Sequence, residues 1–335
     1  MLNYIFRRLL ICIPTLFFIA FVIFMLLELA PSDPMAQMPL TIPPEVKEKM
    51  RIALGLGEPW YVRFPLWLNQ FFIVEPQYWI DNTFGTNFAD GKQRIISFQS
   101  RSPVFDVIAQ RLPQTLWVVG MSYVVGVLIA LPIGIISAYR QYSVFDQVGT
   151  FVSTIGFSVP PFFSGVLLIV IFSVQLGWLP SIYDTTLLVR DWATFKQQLM
   201  QMVMPVMVLA LQTTATVSRY MRASMLDNLS QDYVRTARAK GMTESVVVLK
   251  HVLRNSMIPV VTVIALGIPS IFGGAIITEQ IFKVNGLGQL LILALQGSDI
   301  PMVMTITFLL AVLIVLMNLI ADVLYSILDP RIRYE

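Results

Sequence analysis

Nineteen successive residues from Leu9 to Leu27 carry no charge, enough helix to cross a hydrocarbon core about 30 Å thick. Five more uncharged blocks follow at Leu112–Tyr139, Gln147–Gly177, Leu199–Val217, Ser256–Ile277 and Pro301–Ala321. In lipid, every backbone N–H and C=O must find its partner inside the segment, which turns blocks of this kind into helices. A mean hydropathy of +0.72, with 56% apolar and 13% charged residues, excludes an ordinary water-soluble domain. The chain reads as an all-α polytopic membrane protein with six transmembrane helices. Pro160-Pro161 must break or kink the third block. Two short helices are one reading of that block, but a single kinked span keeps the later loops on consistent sides.

Charge gives the orientation. Short loops rich in Lys and Arg stay on the cytoplasmic side. With N- and C-termini cytoplasmic, inside loops hold 12 of the 23 basic residues. Outside loops, the long insert apart, hold only Arg190, Lys196 and Lys283. Arg7 and Arg8 precede the first block as they would in a signal peptide, but such peptides have apolar regions of only about 7–15 residues. The first block is therefore read as an uncleaved anchor.

The chain divides into residues 1–29 (tail and first span), 30–111 (external insert), 112–326 (core spans, with a cytoplasmic loop at 219–256) and 327–335 (tail). The insert's eight basic residues do not break the charge rule, which applies to loops shorter than about 60 residues. Pro43-Pro44-Glu45 reads as a helix start, with its end at Leu54-Gly55. Trp60–Ile73 is aromatic and suits the outer membrane interface. Ser102-Pro103 with Asp106 starts a short helix leading to Arg111 and Pro113. Within the second span Gly126, Ala130, Gly134 and Ala138 recur every four residues, a spacing that lets two helices approach closely in lipid.

The one long basic segment in the second half is Ser230–Pro259. Seven cations lie in or beside it: Arg219, Arg222, Arg235, Arg238, Lys240, Lys250 and Arg254. Ser230 is expected to cap a first helix, with Asp232 in its first turn and Arg238 and Lys240 near its end. Gly241 supplies a left-handed stop, and Thr243 caps a second helix that starts at Glu244 and runs into the fifth span. Arg235 and Arg238, three apart, can share one face, suited to acidic groups on a partner or to lipid phosphates. Ala237 and Ala239 keep the helix slim. The expected result is a rigid helix-glycine-helix knuckle in the cytoplasm. A basic loop that only enforces topology is the simpler alternative.

Catalytic classes find little here. The lone cysteine, Cys12, and the lone histidine, His251, exclude an intrachain disulfide and a His-based metal site. No Asp, Glu, Lys, Arg or His sits at the middle of a span, where one would mark a proton or ion pathway. Glu28 and Glu279 fall at outer ends and Asp322 at an inner end, where water or headgroups are expected to reach them. The energy source is therefore placed outside this chain, with the knuckle as its connection.

The stretch Asp232-Tyr233-Val234-Arg235-Thr236-Ala237-Arg238-Ala239-Lys240-Gly241, with His251-Val252-Leu253-Arg254-Asn255 and Pro259, resembles the coupling loop of ABC importer permeases of the dipeptide, oligopeptide and nickel group. So do Arg7-Arg8-Leu9 with Pro14, Leu54-Gly55-Leu56 before Pro59, Phe84-Gly85-Thr86, and Arg111-Leu112-Pro113 with Thr115-Leu116. Gly273-Gly274, Glu279, Phe282, Gly286-Leu287-Gly288 and Asp329-Pro330-Arg331 extend the likeness over nearly the whole chain, in the B-type subunit with a long external insert between helices 1 and 2. The resemblance implies a type I ABC importer permease fold without catalytic residues, a second related permease, two ATPase subunits and an external solute-binding protein. It also implies ATP and Mg on the ATPases, and Asp232, Tyr233, Arg235, Ala237, Arg238, Ala239, Lys240, Gly241, Thr243 and Glu244 as the ATPase-coupling loop. Arg235-Thr236-Ala237 stands where the general permease pattern opens Glu-Ala-Ala. Gly126, Ala130, Gly134, Gly273 and Gly274 are the expected helix-packing positions, and the location implied is the bacterial inner membrane. Peptide is the commonest cargo of the group. Oligosaccharide, nickel chelate or another small solute is an alternative, as is an ion-coupled secondary transporter.

Overall fold

The computed structural model describes residues 2–29, 43, 45, 48–49 and 57–328, and among these it has helices and no strand. The helix expected from Pro43 to Leu54 lies largely outside the described residues, as does the Asp329-Pro330-Arg331 motif. In chain order the helices are α1 (Leu2–Leu29), α2 (Trp60–Asn69), α3 (Glu75–Phe84), α4 (Val104–Tyr139), α5 (Val144–Ser158), α6 (Pro161–Leu168), α7 (Trp192–Leu229), α8 (Asp232–Ala239), α9 (Glu244–Val246), α10 (Leu253–Phe282), α11 (Leu287–Gln296) and α12 (Ile300–Leu328). Wider π-type turns join α2 to α3, extend α6 to Gln175, and join α9 to α10.

Five helical segments are long and apolar enough to cross a bilayer: Phe6–Leu29, Val104–Tyr139, Trp192–Leu229, Glu244–Ile268 and Ile300–Ile320. The third apolar block qualifies only as the pair Val144–Ser158 and Pro161–Gln175, which meet at 108°. This is a break rather than the expected kink. Val159 and Pro160 are both extended, at ψ 124° and 141°, because a residue before proline is pushed out of the α region. Pro161 then opens the next helix, where a missing N–H costs nothing.

Two other expectations change. The short helix expected after Ser102-Pro103 does not end at Pro113, since α4 runs on as the second span. Sequence reading also passed over α11, ten residues between the last two spans.

The chain forms two compact units. One comprises Leu10–Pro113 and Gln289–Val312. Here Phe64 of α2 packs on Phe17, Phe21 and Phe24 of α1 with ring centroids 5.2–5.8 Å apart. Trp67, Phe71 and Phe72 close around Phe308 at 4.9–5.7 Å. Arg94 bridges Glu75 and Asp106 at 2.8 Å each. Asp299, at the start of α12, receives the Ser97 hydroxyl and the backbone N–H groups of Phe98 and Gln99. The insert is thus sewn to α1 and α12 by aromatic rings, to α12 also by Asp299, and to itself by the Glu75–Arg94–Asp106 bridge.

The other unit comprises Met1–Leu9, Gln114–Gly288 and Leu313–Glu335. Its centre is the packing of α4, α5 and α10 around α7, whose small and polar residues sit inside.

Candidate functional site

The knuckle begins where α7 ends. Ser230 keeps an α-like backbone at φ −85° and ψ −7°, so its hydroxyl turns back to donate to the Asp227 carbonyl. It does not cap the next helix, as the sequence had suggested. Gln231 holds that position without a side-chain bond, and Thr243 heads the second helix equally uncapped. Gly241 has φ +75°, the left-handed stop expected of it. The Gly241 N–H donates to the Arg238 carbonyl at 2.9 Å, and the Met242 N–H to that of Ala237 at 3.4 Å.

An apolar plug seats the first helix. Val234 and Ala237, three residues apart and so on one face, are buried with Val247, Val248 and Val252 of the second arm, Met221 and Met225 of α7, and Ala138 of α4. Val234, Val247 and Val252 are completely enclosed. Burying a valine side chain contributes about 1.5–3 kcal/mol, so the plug, rather than capping, holds this eight-residue helix. An isolated helix that short is not stable in water.

The outward surface carries Asp232, Arg235, Ala239, Lys240, Gly241 and Thr243. Tyr233 is half-buried and donates its hydroxyl to Asn228 Oδ1 at 2.8 Å. Arg235 pairs with Asp232 within the helix at 3.4 Å. Arg238 turns across the glycine to Glu244, with Nε to Oε2 at 3.1 Å and Nη2 to Oε1 at 2.6 Å. That bond lifts the guanidinium further above its ordinary pKa, so it stays charged. The two arginines therefore do not act as a free basic pair, because each has a partner in its own chain.

Gly241 lies in open space. A Cβ built there meets no atom of the other described residues within 4 Å. Any steric demand for glycine beyond its left-handed backbone comes from outside the chain.

Beneath the knuckle, a bidentate pair joins Arg222 of α7 to buried Asp146 of α5 at 2.7 and 2.8 Å. Asp146 also accepts the Tyr142 N–H at 3.0 Å. Arg222 is one of the seven cations in or beside the loop. Its pairing could not be read locally, because its partner lies 76 residues away.

The small-residue stripe of α4 faces α7. A Cβ on Gly126 would lie 2.8 Å from Thr213 Cβ, and one on Gly134 would lie 2.6 Å from Met221 Cβ. Ala130 between them is fully enclosed. These positions press α4 onto α7, and Thr214 donates to the Gly126 carbonyl at 3.0 Å. Gly273 and Gly274 fall within α10, but the packing expected of them lies outside the described residues.

At the other end of α10, Glu279 is completely buried. This corrects the expectation that water or headgroups reach it. It accepts the Thr115 hydroxyl at 2.7 Å and the Gly288 N–H at 2.7 Å, while Thr115 Oγ1 accepts the Leu287 N–H at 2.7 Å. The carboxylate is enclosed because the turn after α10 folds back over it. In the sequence Thr115, Glu279, Gly286 and Gly288 stand in separate motifs. Their meeting was not legible, since Thr115 and Glu279 are 164 positions apart. Groups of three or more His, Cys, Asp or Glu able to hold a metal are absent among the described residues.

Comparison with known proteins places this architecture. Residues 130–334 match the family described as "Binding-protein-dependent transport system inner membrane component", and residues 1–119 match its N-terminal companion. The oligopeptide transport system permease protein AppB of Bacillus subtilis is 40% identical over all of both chains. The glutathione transport system permease protein GsiC of Escherichia coli K12 is 38% identical, again over all of both chains. In fold, a chain of the MetNI methionine ABC transporter, solved in an inward facing conformation, aligns with TM-score 0.54 at 19% identity, covering 68% of this chain and 99% of that one. With its family match spanning most of its length and its helices arranged as in a solved importer, this chain belongs to the binding-protein-dependent transport system inner membrane components, multi-pass permeases of the bacterial inner membrane.

Proposed function

We propose that this chain is the non-catalytic permease subunit of an ATP-driven importer of di- and oligopeptides. The observation that carries the reading is full-length identity of 38–40% to permeases of oligopeptide and glutathione systems. Both termini and the knuckle face the cytoplasm, in line with the distribution of Lys and Arg, and the insert faces outward. A second related permease completes the path, and two ATPase subunits hold ATP and Mg. An external binding protein delivers the cargo.

The knuckle is the joint to an ATPase. Its plug and backbone turn support transmission of force, and at Gly241 its outward surface leaves room among the described residues. A bulky residue there costs about 1–2 kcal/mol of left-handed backbone strain, meets none of the described residues at its Cβ, and obstructs what docks from outside. Gly241→Trp is therefore expected to leave the permease in the membrane while abolishing uptake driven by ATP. Unchanged uptake and ATP hydrolysis in the reconstituted complex would remove the docking role. Titration of the binding protein with di- and tripeptides, glutathione and oligosaccharides tests the cargo. Tight binding of sugar without peptide would overturn that part.

A further inference from the structure

The two arms of the knuckle lack side-chain caps, and the turn between them is open to solvent at Gly241. Val234 and Ala237 hold the first helix down, but the plug lies on one side only. On the exposed side the connection across the turn is the Arg238–Glu244 pair, which joins the last turn of α8 to the first residue of α9. Its side chains are 45% and 39% exposed, and a pair so placed adds little to overall stability. Its geometry is nonetheless demanding. Two parallel N–H to oxygen bonds lock a planar guanidinium against a planar carboxylate, which sets direction as well as distance. The other ion pair of α8, Arg235 with Asp232, stays within one arm and cannot set the angle between the two.

We infer that Arg238 and Glu244 are positioning residues that fix the angle between the knuckle's arms, so that movement of a docked ATPase passes into α10 instead of being absorbed at Gly241. The inference rests on the docking role proposed above. It gives Arg238 and Glu244 a task inside the chain and leaves ATPase contact to the outward surface around Gly241. With the pair broken, the turn at Gly241 keeps only its two backbone hydrogen bonds and the plug on one side. The apolar plug still anchors the helix, but the outward surface swings.

The test uses the complete complex in proteoliposomes: this chain, its partner permease and both ATPases, with the external binding protein carrying the ligand it is purified with. The readout is the stimulation of ATP hydrolysis by that binding protein, a signal that must cross the permease. Arg238→Ala and Glu244→Ala are each expected to cut the stimulation at least fivefold, with ATPase subunits still co-purifying. The exchanged variant, Arg238→Glu with Glu244→Arg, is expected to recover at least half of it. Native stimulation in either single variant, or failure of the exchange to rescue, overturns the inference. Gly241→Trp run in parallel separates the two ideas. If it abolishes stimulation while the alanine variants keep it, only the clamp falls. If it too leaves stimulation unchanged, the docking role falls.

Discussion

The two ends of α10 are both reached through helical corners with a left-handed residue, and they are built in opposite ways. In the orientation proposed above, the outer corner has Lys283 at φ +56°, and the inner one has Gly241 at φ +75°. At the outer corner buried Glu279 gathers a hydroxyl and an amide, and the glycines are demanded by the chain itself. A Cβ on Gly286 would lie 2.4 Å from both Glu279 Oε1 and Thr115 Oγ1, and one on Gly288 would lie 2.5 Å from the Ile276 backbone. At the inner corner the polar groups are half-exposed, and the glycine is surrounded by space. One corner is closed on itself. The other leaves its glycine open.

This contrast can be broken by substitution. The largest effect is expected from Gly286→Ala, which forces a methyl against two buried polar atoms. It should destabilise by about 3 kcal/mol or more, seen as loss of folded protein from membranes and a lower thermal midpoint in detergent. Glu279→Ala comes next. It leaves the Thr115 hydroxyl and Gly288 N–H without their acceptor, at about 1–3 kcal/mol for each buried group left unpaired. Gly241→Ala should cost only about 1–2 kcal/mol, the strain of a left-handed alanine, with no clash to add. If its thermal midpoint falls as far as that of Gly286→Ala, the contrast between the corners is wrong.

A smaller effect sharpens the comparison from the insert. Burial works to raise the pKa of Asp81. The Thr86 hydroxyl and the Ala89 and Phe88 N–H groups outweigh it, with help from Lys92, and hold the carboxyl below its usual range. A depressed pKa means stability that is present above the ordinary carboxylate value, about 4, and lost as pH falls through the folded value. The 85–91 turn should therefore open in acid. Amide exchange at Phe88 and Ala89 should accelerate there beyond its intrinsic pH dependence, and Asp81→Asn should remove that component. An unaltered acid response in the variant would show that Asp81 does not hold the turn.

Much of the architecture was open to reading from residues alone. The apolar blocks, the period-four stripe at Gly126, Ala130 and Gly134, and the left-handed Gly241 are all local properties, set by hydropathy, helical geometry and the absence of a Cβ. Ser230 misled because a serine before a helix reads as a cap only if its backbone has already left the previous helix, and here it has not. The third block misled in degree. Two adjacent prolines announce a bend, but its size depends on the packing around it.

What the sequence determined by itself was where the chain is apolar enough to enter lipid, which loops carry its positive charge, and where the backbone must turn left-handed. Each follows from a residue and its near neighbours. Tertiary structure alone decided that Glu279 is enclosed, that Arg238 answers to Glu244, and that Arg222 reaches Asp146. Burial and ion pairing are set by the folded distance between groups, and for Thr115 with Glu279 and Arg222 with Asp146 that closeness joins positions 164 and 76 residues apart.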